Sequence, residues 1–172
     1  MRTLALLTLA PALIFATPAL AGEVFGGLTK HAVDTPFSLE GGREQGVDFQ
    51  LGYRGGRIFP KLGLQPYVFG SLNSAGDTSF VAAGLSWKFG EKFFIRPGIG
   101  LALHNGSAGK FDRPDRIALG SRVLFEPELG IGVRLSKRAT IEATLVHLSQ
   151  GQLFGKQNPG IDNAGVRFSL GL

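Results

Sequence analysis

Apolar and non-apolar residues alternate with a period of two along most of the chain after residue 21. In the last segment, for example, Val166, Phe168 and Leu170 alternate with Arg167 and Ser169. A period of two is typical of a β-strand, because successive side chains point to opposite faces. No segment after residue 21 has the period of a helix, so we predict an all-β fold.

The alternation predicts eight strands. The clearer strands cover residues 47–53, 81–89, 93–103, 128–135, 139–145 and 164–172, and the weaker ones cover residues 24–31 and 64–72. An even number of strands is what a closed antiparallel barrel of the bacterial outer membrane requires. We therefore expect an eight-stranded antiparallel transmembrane β-barrel.

The two faces of the predicted strands differ in a way that favours lipid outside the barrel. One face is strongly apolar, and the other combines many of the 26 glycines with charged side chains. These charged side chains are Lys88, Arg96, Glu128, Arg134, Glu142 and Arg167. The interior of an eight-stranded barrel is narrow and must be filled by side chains, which small residues and paired charges can do. A soluble, lipocalin-like barrel would instead carry the apolar face inside, and it is the less consistent alternative.

The connections between predicted strands alternate in length. Residues 90–91 and 136–138 form short turns, whereas residues 104–121 and 150–161 form long polar segments. Bacterial barrels have short periplasmic turns and longer external loops. The pattern therefore predicts that both ends of the barrel chain lie on the periplasmic side.

The N-terminal segment has the features of a cleavable secretory signal peptide. Arg2 precedes an apolar run over residues 4–19, and Ala-Leu-Ala stands directly before Gly22. A membrane helix is the alternative, but two prolines interrupt the run. We expect residues 1–21 to be removed and residues 22–172 to form the barrel.

Composition excludes several classes of site. The chain has no cysteine, so disulfides, thiolate metal sites and cysteine nucleophiles are ruled out. Its 18 basic and 13 acidic residues give a formal charge of +5. Because the basic residues are scattered among apolar strands, an anionic membrane surface is a better partner than nucleic acid. We expect a protein of the Gram-negative outer membrane.

Three residues with hydrolase chemistry converge at one end of the predicted barrel. The alternation puts His147 and Ser149 on the apolar face at the end of strand seven, and Asp162 on that face at the start of strand eight. A histidine between a serine and a carboxylate can take the hydroxyl proton while the carboxylate orients the ring. The alternative is that all three are only polar residues at the membrane interface.

Residues 125–172 resemble the PagL-type lipid A 3-O-deacylases, a family of eight-stranded outer-membrane barrels. The family pattern is His-x-Ser-Asn at the end of strand seven and an Asn-x-Gly-Ile-Glu-like element at the start of strand eight. Here these elements read His-Leu-Ser-Gln at residues 147–150 and Asn-Pro-Gly-Ile-Asp at residues 158–162. The resemblance implies that Ser149 is the nucleophile and His147 the general base.

The resemblance also implies that Asp162 is the acid that orients the histidine. It stands where the best-known members carry glutamate, a side chain longer by one carbon. Gln-Gly at residues 150–151 replaces Asn-Ala, in the region expected to supply donors to the oxyanion. The implied oxyanion or substrate-binding residues are Gln150, Gly151 and Asn158.

We therefore expect an outer-membrane esterase that hydrolyses the 3-O-linked acyl chain of lipid A, without metal or cofactor. Its partners would be lipopolysaccharide as substrate and the surrounding outer-membrane lipid, with no role for nucleic acid. Two alternatives stay open: a noncatalytic small barrel with an adhesion or envelope-integrity role, and a broader phospholipase. The oligomeric state is open too, with a homodimer among the options.

Other polar residues carry weaker signals. His31 and His104 are expected to be polar filler rather than ligands. Five basic residues in or beside the external loops could meet lipid A phosphates, although ordinary solvated loop charges explain them equally well. These residues are Lys110, Arg113, Arg116, Arg122 and Lys156.

Overall fold

The structure of the protein is a computed structural model. It describes residues 22–38, 43–58, 62–109, 115–153 and 159–172. The predicted signal peptide, residues 1–21, lies outside the described residues.

The eight predicted strands form a closed antiparallel barrel in which each strand pairs with its neighbours in the chain. The strands are β1 Glu23–Lys30, β2 Val47–Arg54, β3 Leu64–Asn73, β4 Phe80–Trp87, β5 Phe93–His104, β6 Val123–Arg134, β7 Ala139–Leu148 and β8 Ile161–Gly171. Strand β1 pairs with β8 over its whole length and closes the barrel. The predicted fold class is confirmed.

Two strands begin three or more residues before the segments in which the alternation is clear. Strand β6 begins at Val123 instead of residue 128, although Pro127 has no N–H to donate to the ladder. Pro127 lies opposite Ile99 of β5, and the pairing continues past it. Strand β8 begins at Ile161, before the clear alternation of residues 164–172, and Asp162 lies in the ladder with β7 at the start of the strand, as predicted.

The outer surface of the barrel is apolar, as predicted. Large apolar side chains on the strands are well exposed on that surface, and they include Leu28, Phe49, Leu51, Leu72, Val81, Phe93, Ile99, Leu101, Leu103, Ile131 and Val166. An exposed apolar band of this kind belongs in lipid. No helix in the described part of the chain is long and apolar enough to cross a membrane.

The interior is filled by paired charges and aromatic rings. Three arginines and three glutamates from six strands form a buried network of ion pairs: Arg54, Arg96, Arg167, Glu23, Glu128 and Glu142. The Arg167 guanidinium lies 4.6 Å from the ring centre of Phe69. The inward placement predicted for Arg96, Glu128, Glu142 and Arg167 is confirmed. Arg134 instead ends its strand in an exposed position, and Lys88 follows the last residue of β4.

Candidate active site

The register of β7 and β8 puts His147 directly opposite Asp162. Side chains opposite each other in an antiparallel pair have Cβ atoms about 4.5–5.5 Å apart. The short aspartate therefore reaches the ring, and the distance between His147 Nδ1 and Asp162 Oδ1 is 2.6 Å. The missing carbon relative to glutamate does not prevent the contact.

This contact determines how the His147 ring can act. When Nδ1 carries the proton, it donates to the Asp162 carboxylate, and Nε2 is left with a lone pair. Asp162 is fully buried, whereas the His147 side chain is 16% exposed. The pair therefore presents one basic nitrogen near the surface while the carboxylate stays out of solvent.

Ser149 lies just past the end of β7, on the same side of the chain as His147. Its backbone pairs with Phe125 of β6, with the Ser149 N–H donating to the Phe125 carbonyl at 3.1 Å. Two residues of extended chain span roughly 6–7 Å, so Ser149 neighbours His147 along the strand while Asp162 neighbours it across the strands. Among the described residues, no hydrogen bond joins Ser149 to His147.

Gly160, just before β8, lets the histidine lie against the backbone. A Cβ atom at this position would be 2.5 Å from His147 Cε1 and 3.2 Å from the carbonyl oxygen of Leu148. Real Cβ atoms do not approach other atoms so closely. The glycine of the Asn-Pro-Gly-Ile-Asp element thus has a local physical role, which is to leave space for the ring.

The connection between β1 and β2 covers this part of the barrel. The Thr35 hydroxyl donates to Asp162 Oδ2, and the Val33 N–H donates to the Asp162 carbonyl at 2.8 Å. The Ser38 hydroxyl donates to the Gly160 carbonyl at 2.5 Å. The prediction that Asp162 points at lipid is therefore wrong in this respect: it lies on the outer side of the barrel but beneath a cover.

Thr35 is the residue of this site that the sequence analysis missed. Nothing in the sequence around it indicates which strand the connection will contact, since β1 and β8 are far apart in the chain. Phe37, in the same connection, lies edge-on to His147 with 6.2 Å between ring centres, and it is 70% exposed. The cover thus adds an apolar side chain beside the histidine.

A buried polar cluster inside the barrel anchors the start of this cover. His31 Nδ1 lies 3.0 Å from Asp48 Oδ2, and Nε2 lies 3.1 Å from Glu44 Oε2. Burial lowers the pKa of His31, but its hydrogen bonds to Asp48 and Glu44 outweigh burial and raise that pKa to about 9. Asn163 joins the cluster to β8, donating to Asp48 at 2.9 Å and accepting from the Ala32 N–H. His31 is therefore part of an ionic cluster and not simple filler.

The residues predicted to contact the oxyanion have different outcomes. Gln150 is buried beside Gly120, whose Cβ would be 2.8 Å from Gln150 Nε2, so its amide packs into the protein. Gly151 has a φ of +61°, in the left-handed region that favours glycine. Asn158 lies outside the described residues.

The described basic residues of the external loops donate to backbone carbonyls, Arg116 to one in the β3–β4 loop and Arg122 to one in its own β5–β6 loop. Arg116 donates to the Gly76 carbonyl at 3.1 Å, and Arg122 donates to the Gly106 carbonyl at 2.7 Å. His104 Nε2 lies 2.6 Å from the Ser121 carbonyl oxygen. Lys110, Arg113 and Lys156 lie outside the described residues.

Comparison with known proteins identifies the family. The model of the lipid A 3-O-deacylase (PagL) family matches residues 38–171, which include His147, Ser149 and Asp162. The chain belongs to the PagL family. It is therefore an outer-membrane hydrolase that deacylates lipid A. No curated protein matches the chain significantly in sequence.

Solved structures support the fold of this PagL family member. The crystal structure of the outer-membrane enzyme PagL superimposes with a TM-score of 0.62 at 18% identity, covering 87% of this chain and 99% of that one. A designed transmembrane β-barrel superimposes with a TM-score of 0.53 at 11% identity, covering 91% of this chain and 98% of the design. At these identities the likeness establishes the barrel and not the details of the site.

Proposed function

We propose that the protein removes the 3-O-linked acyl chain of lipid A through an acyl-enzyme formed on Ser149. The observation that carries this proposal is the 2.6 Å contact between His147 and buried Asp162, with Ser149 next along the strand. Family membership favours an enzyme over the noncatalytic barrel. A serine hydroxyl, an imidazole and a carboxylate that lie close together support a serine-hydrolase mechanism.

The reaction proceeds in two half-reactions. The Ser149 Oγ attacks the ester carbonyl carbon while its proton passes to His147 Nε2. The ester C–O bond then breaks, and the same proton passes to the departing sugar oxygen. A water molecule hydrolyses the acyl-enzyme in the reverse sense and releases a fatty acid. Asp162 holds the Nδ1 proton and stabilises the imidazolium at each step.

Backbone N–H groups, and not the side-chain amide of Gln150, are the candidate donors that stabilise the oxyanion. The Ser149 N–H is already bonded to Phe125, and the Gln150 side chain is buried beside Gly120. The N–H groups of Gln150 and Gly151 follow the nucleophile and supply the donors in this proposal. Removing one oxyanion donor typically costs about 10² to 10³ in rate.

The surroundings of the site suit a substrate that lies in the membrane. Phe37, Phe125 and Leu153 are 70%, 37% and 67% exposed and give the site an apolar border. The site also lies at the end of the barrel with the long connections, which faces outward in bacterial barrels. Lipid A occupies the outer leaflet there, so its acyl chains can reach the site without leaving the membrane.

Mass spectrometry of lipid A from a Gram-negative host tests the nucleophile. We expect lipid A to lose one acyl chain with the wild-type chain and to stay intact with Ser149→Ala. Ser169→Ala is the matched control, because Ser169 is buried inside the barrel and its hydroxyl has no hydrogen-bond partner among the described residues. Full deacylation by a correctly inserted Ser149→Ala protein would overturn the proposal.

Purified substrates test the position of the cleaved ester. We expect release of fatty acid from lipid A that carries a 3-O-linked chain, and no release from lipid A that lacks this chain. Glycerophospholipid vesicles form the third arm of the assay. Hydrolysis of these vesicles at a comparable rate would replace the 3-O-deacylase assignment with a broader phospholipase.

A further inference from the structure

The short-turn end of the barrel, opposite the candidate active site, contains a cavity of about 660 Å³. It is formed by the ends of three strands and the turns that follow them. The residues that line it are Arg57, Lys88, Gly90, Glu91, Lys92, Arg134, Leu135 and Ser136. Because short turns of bacterial barrels face the periplasm, this cavity opens at the inner leaflet.

The lining is strongly basic. Four of its side chains are cationic, and Glu91 is the one carboxylate among them. In the described part of the chain, no carboxylate forms an ion pair with any of these four cations. Arg134 donates instead to the backbone carbonyl of Glu91 at 3.2 Å. Among the described lining residues the four cations outnumber the single carboxylate, and this excess of like charge raises the free energy of the empty cavity, which a bound anion would lower.

Lys88 is the most enclosed of the four cations. Its ammonium lies 4.0 Å from the ring centre of Phe94, which packs it against the barrel interior. Burial first, and nearby Arg96 second, lower the pKa of Lys88 to about 8, against the opposing effect of Glu23. An anion beside the ammonium would therefore raise the pKa of Lys88 and reduce the net positive charge of the cavity.

We propose that this cavity binds a phosphate group. Arginine and lysine together supply directional and point-charge donors to phosphate oxygens. Two sources carry this group at the periplasmic face: inorganic phosphate, and the headgroups of anionic glycerophospholipids in the inner leaflet. The site is remote from Ser149, so the proposal stands independently of the proposed deacylase mechanism.

The test is a lysine-resolved NMR titration of the full barrel in zwitterionic micelles. Three ligands are added in separate arms: inorganic phosphate, short-chain phosphatidylglycerol and short-chain phosphatidylcholine. We expect the side-chain signal of Lys88 to shift saturably and its titration midpoint to rise with a phosphate-bearing anion, but not with phosphatidylcholine. If inorganic phosphate saturates the shift, a soluble anion is sufficient for binding. If only phosphatidylglycerol saturates it, the ligand is the lipid headgroup.

Variants separate a built site from general charge attraction. Arg57→Gln removes a cation from the cavity and is expected to weaken binding about tenfold, which corresponds to about 1.4 kcal/mol. Lys137→Gln removes a cation from the neighbouring turn outside the lining and should leave binding unchanged. Equal losses in the two variants, or a Lys88 shift that never saturates, would overturn the proposal. A difference in gel mobility between unheated and heated samples verifies that each variant is a folded barrel.

Discussion

At the residue scale, the geometry of the site depends on small groups beside the histidine. The His147 ring has the Asp162 carboxylate on one edge and the Gly160 backbone against its Cε1 atom. Thr35 donates to the other oxygen of the same carboxylate. Each contact limits the rotation of the ring or of the group that orients it, which on the proposed mechanism prearranges the base.

Substituting Gly160 tests this arrangement. A methyl group in Gly160→Ala would overlap the His147 ring, so we expect the ring to be displaced and deacylation of lipid A to fall at least about 10²-fold. The barrel should still form, because residue 160 precedes β8. The measurement is the rate of fatty acid release by folded protein. Gly70→Ala is a control in strand β3, where an added Cβ would meet open space, and it should keep the rate.

Sequence reasoning reached His147, Ser149 and Asp162 because the alternation assigns a face to every strand residue. It did not identify Thr35, because the role of this residue depends on a contact between the β1–β2 connection and β8. It also did not show that the Gln150 amide is buried beside Gly120, because that contact is made between two loops.

At the element scale, the β1–β2 connection combines an ionic anchor with a cover. His31, Glu44 and Asp48 tie its inner part to the barrel interior, and Thr35 and Ser38 are joined to β8 and the residue before it. Burial raises the pKa of Glu44, but hydrogen bonds from His31 and Thr78 outweigh burial and lower it to about 2. The anchor is therefore an ion pair at neutral pH.

This anchor predicts a pH dependence of stability. The folded pKa of His31 is about 9, above the ordinary 6.5, so its stabilisation is complete below pH 6.5 and is lost as pH rises through 9. At about 1.4 kcal/mol for each pKa unit, the loss is on the order of 3 kcal/mol. The thermal unfolding midpoint, measured in micelles between pH 6 and 10, should fall over this range.

His31→Gln is the control for that prediction, because glutamine does not ionise in this range. The variant should be less stable at pH 6, and its midpoint should change less between pH 6.5 and 9. Parallel curves for the two proteins would show that other groups cause the pH dependence. Glu44 acts in the opposite direction, and its contribution is lost as pH falls from 4.5 through 2.

The strands themselves were predictable, but their starts near the site were not. The alternation is weak at the start of β8, where the polar residues Asp162 and Asn163 face opposite sides of the sheet. It is also weak around Pro127, although strand β6 continues through this residue. In the barrel, pairing with the neighbouring strands decides these boundaries. Strand β6 therefore extends back to Val123, where it can pair with Leu103.

At the scale of the whole molecule, a network of ion pairs shares the interior with a cluster of buried aromatic and aliphatic side chains. Arg167 donates to Glu128 and, at 2.7 Å, to Gln50, so it links β8 to β6 and β2 across the lumen. Removing one partner of a buried pair leaves an uncompensated charge. The narrow interior therefore joins strands that are not neighbours in the sheet.

Arg167→Met is expected to lower the free energy of unfolding by about 3–5 kcal/mol. The value should lie toward the lower end, because Arg54 also approaches Glu128, at 3.5 Å. Urea unfolding in micelles measures the change, and Arg138→Met is the matched control at an exposed turn. Adding Glu128→Gln to Arg167→Met should restore part of the loss. An unchanged midpoint in the single variant would contradict the network's role.

The closure of the barrel by β1 and β8 has a consequence for biogenesis. The cover over Asp162 follows β1, and Asp162 itself belongs to β8, so the first and last strands meet at the site. A chain that is still being inserted, with β1 and β8 apart, lacks the cover that holds Asp162 in place. On the proposed mechanism, the enzyme matures only when its assembly is finished, and an unfinished chain cannot degrade the lipid around the machinery that inserts it.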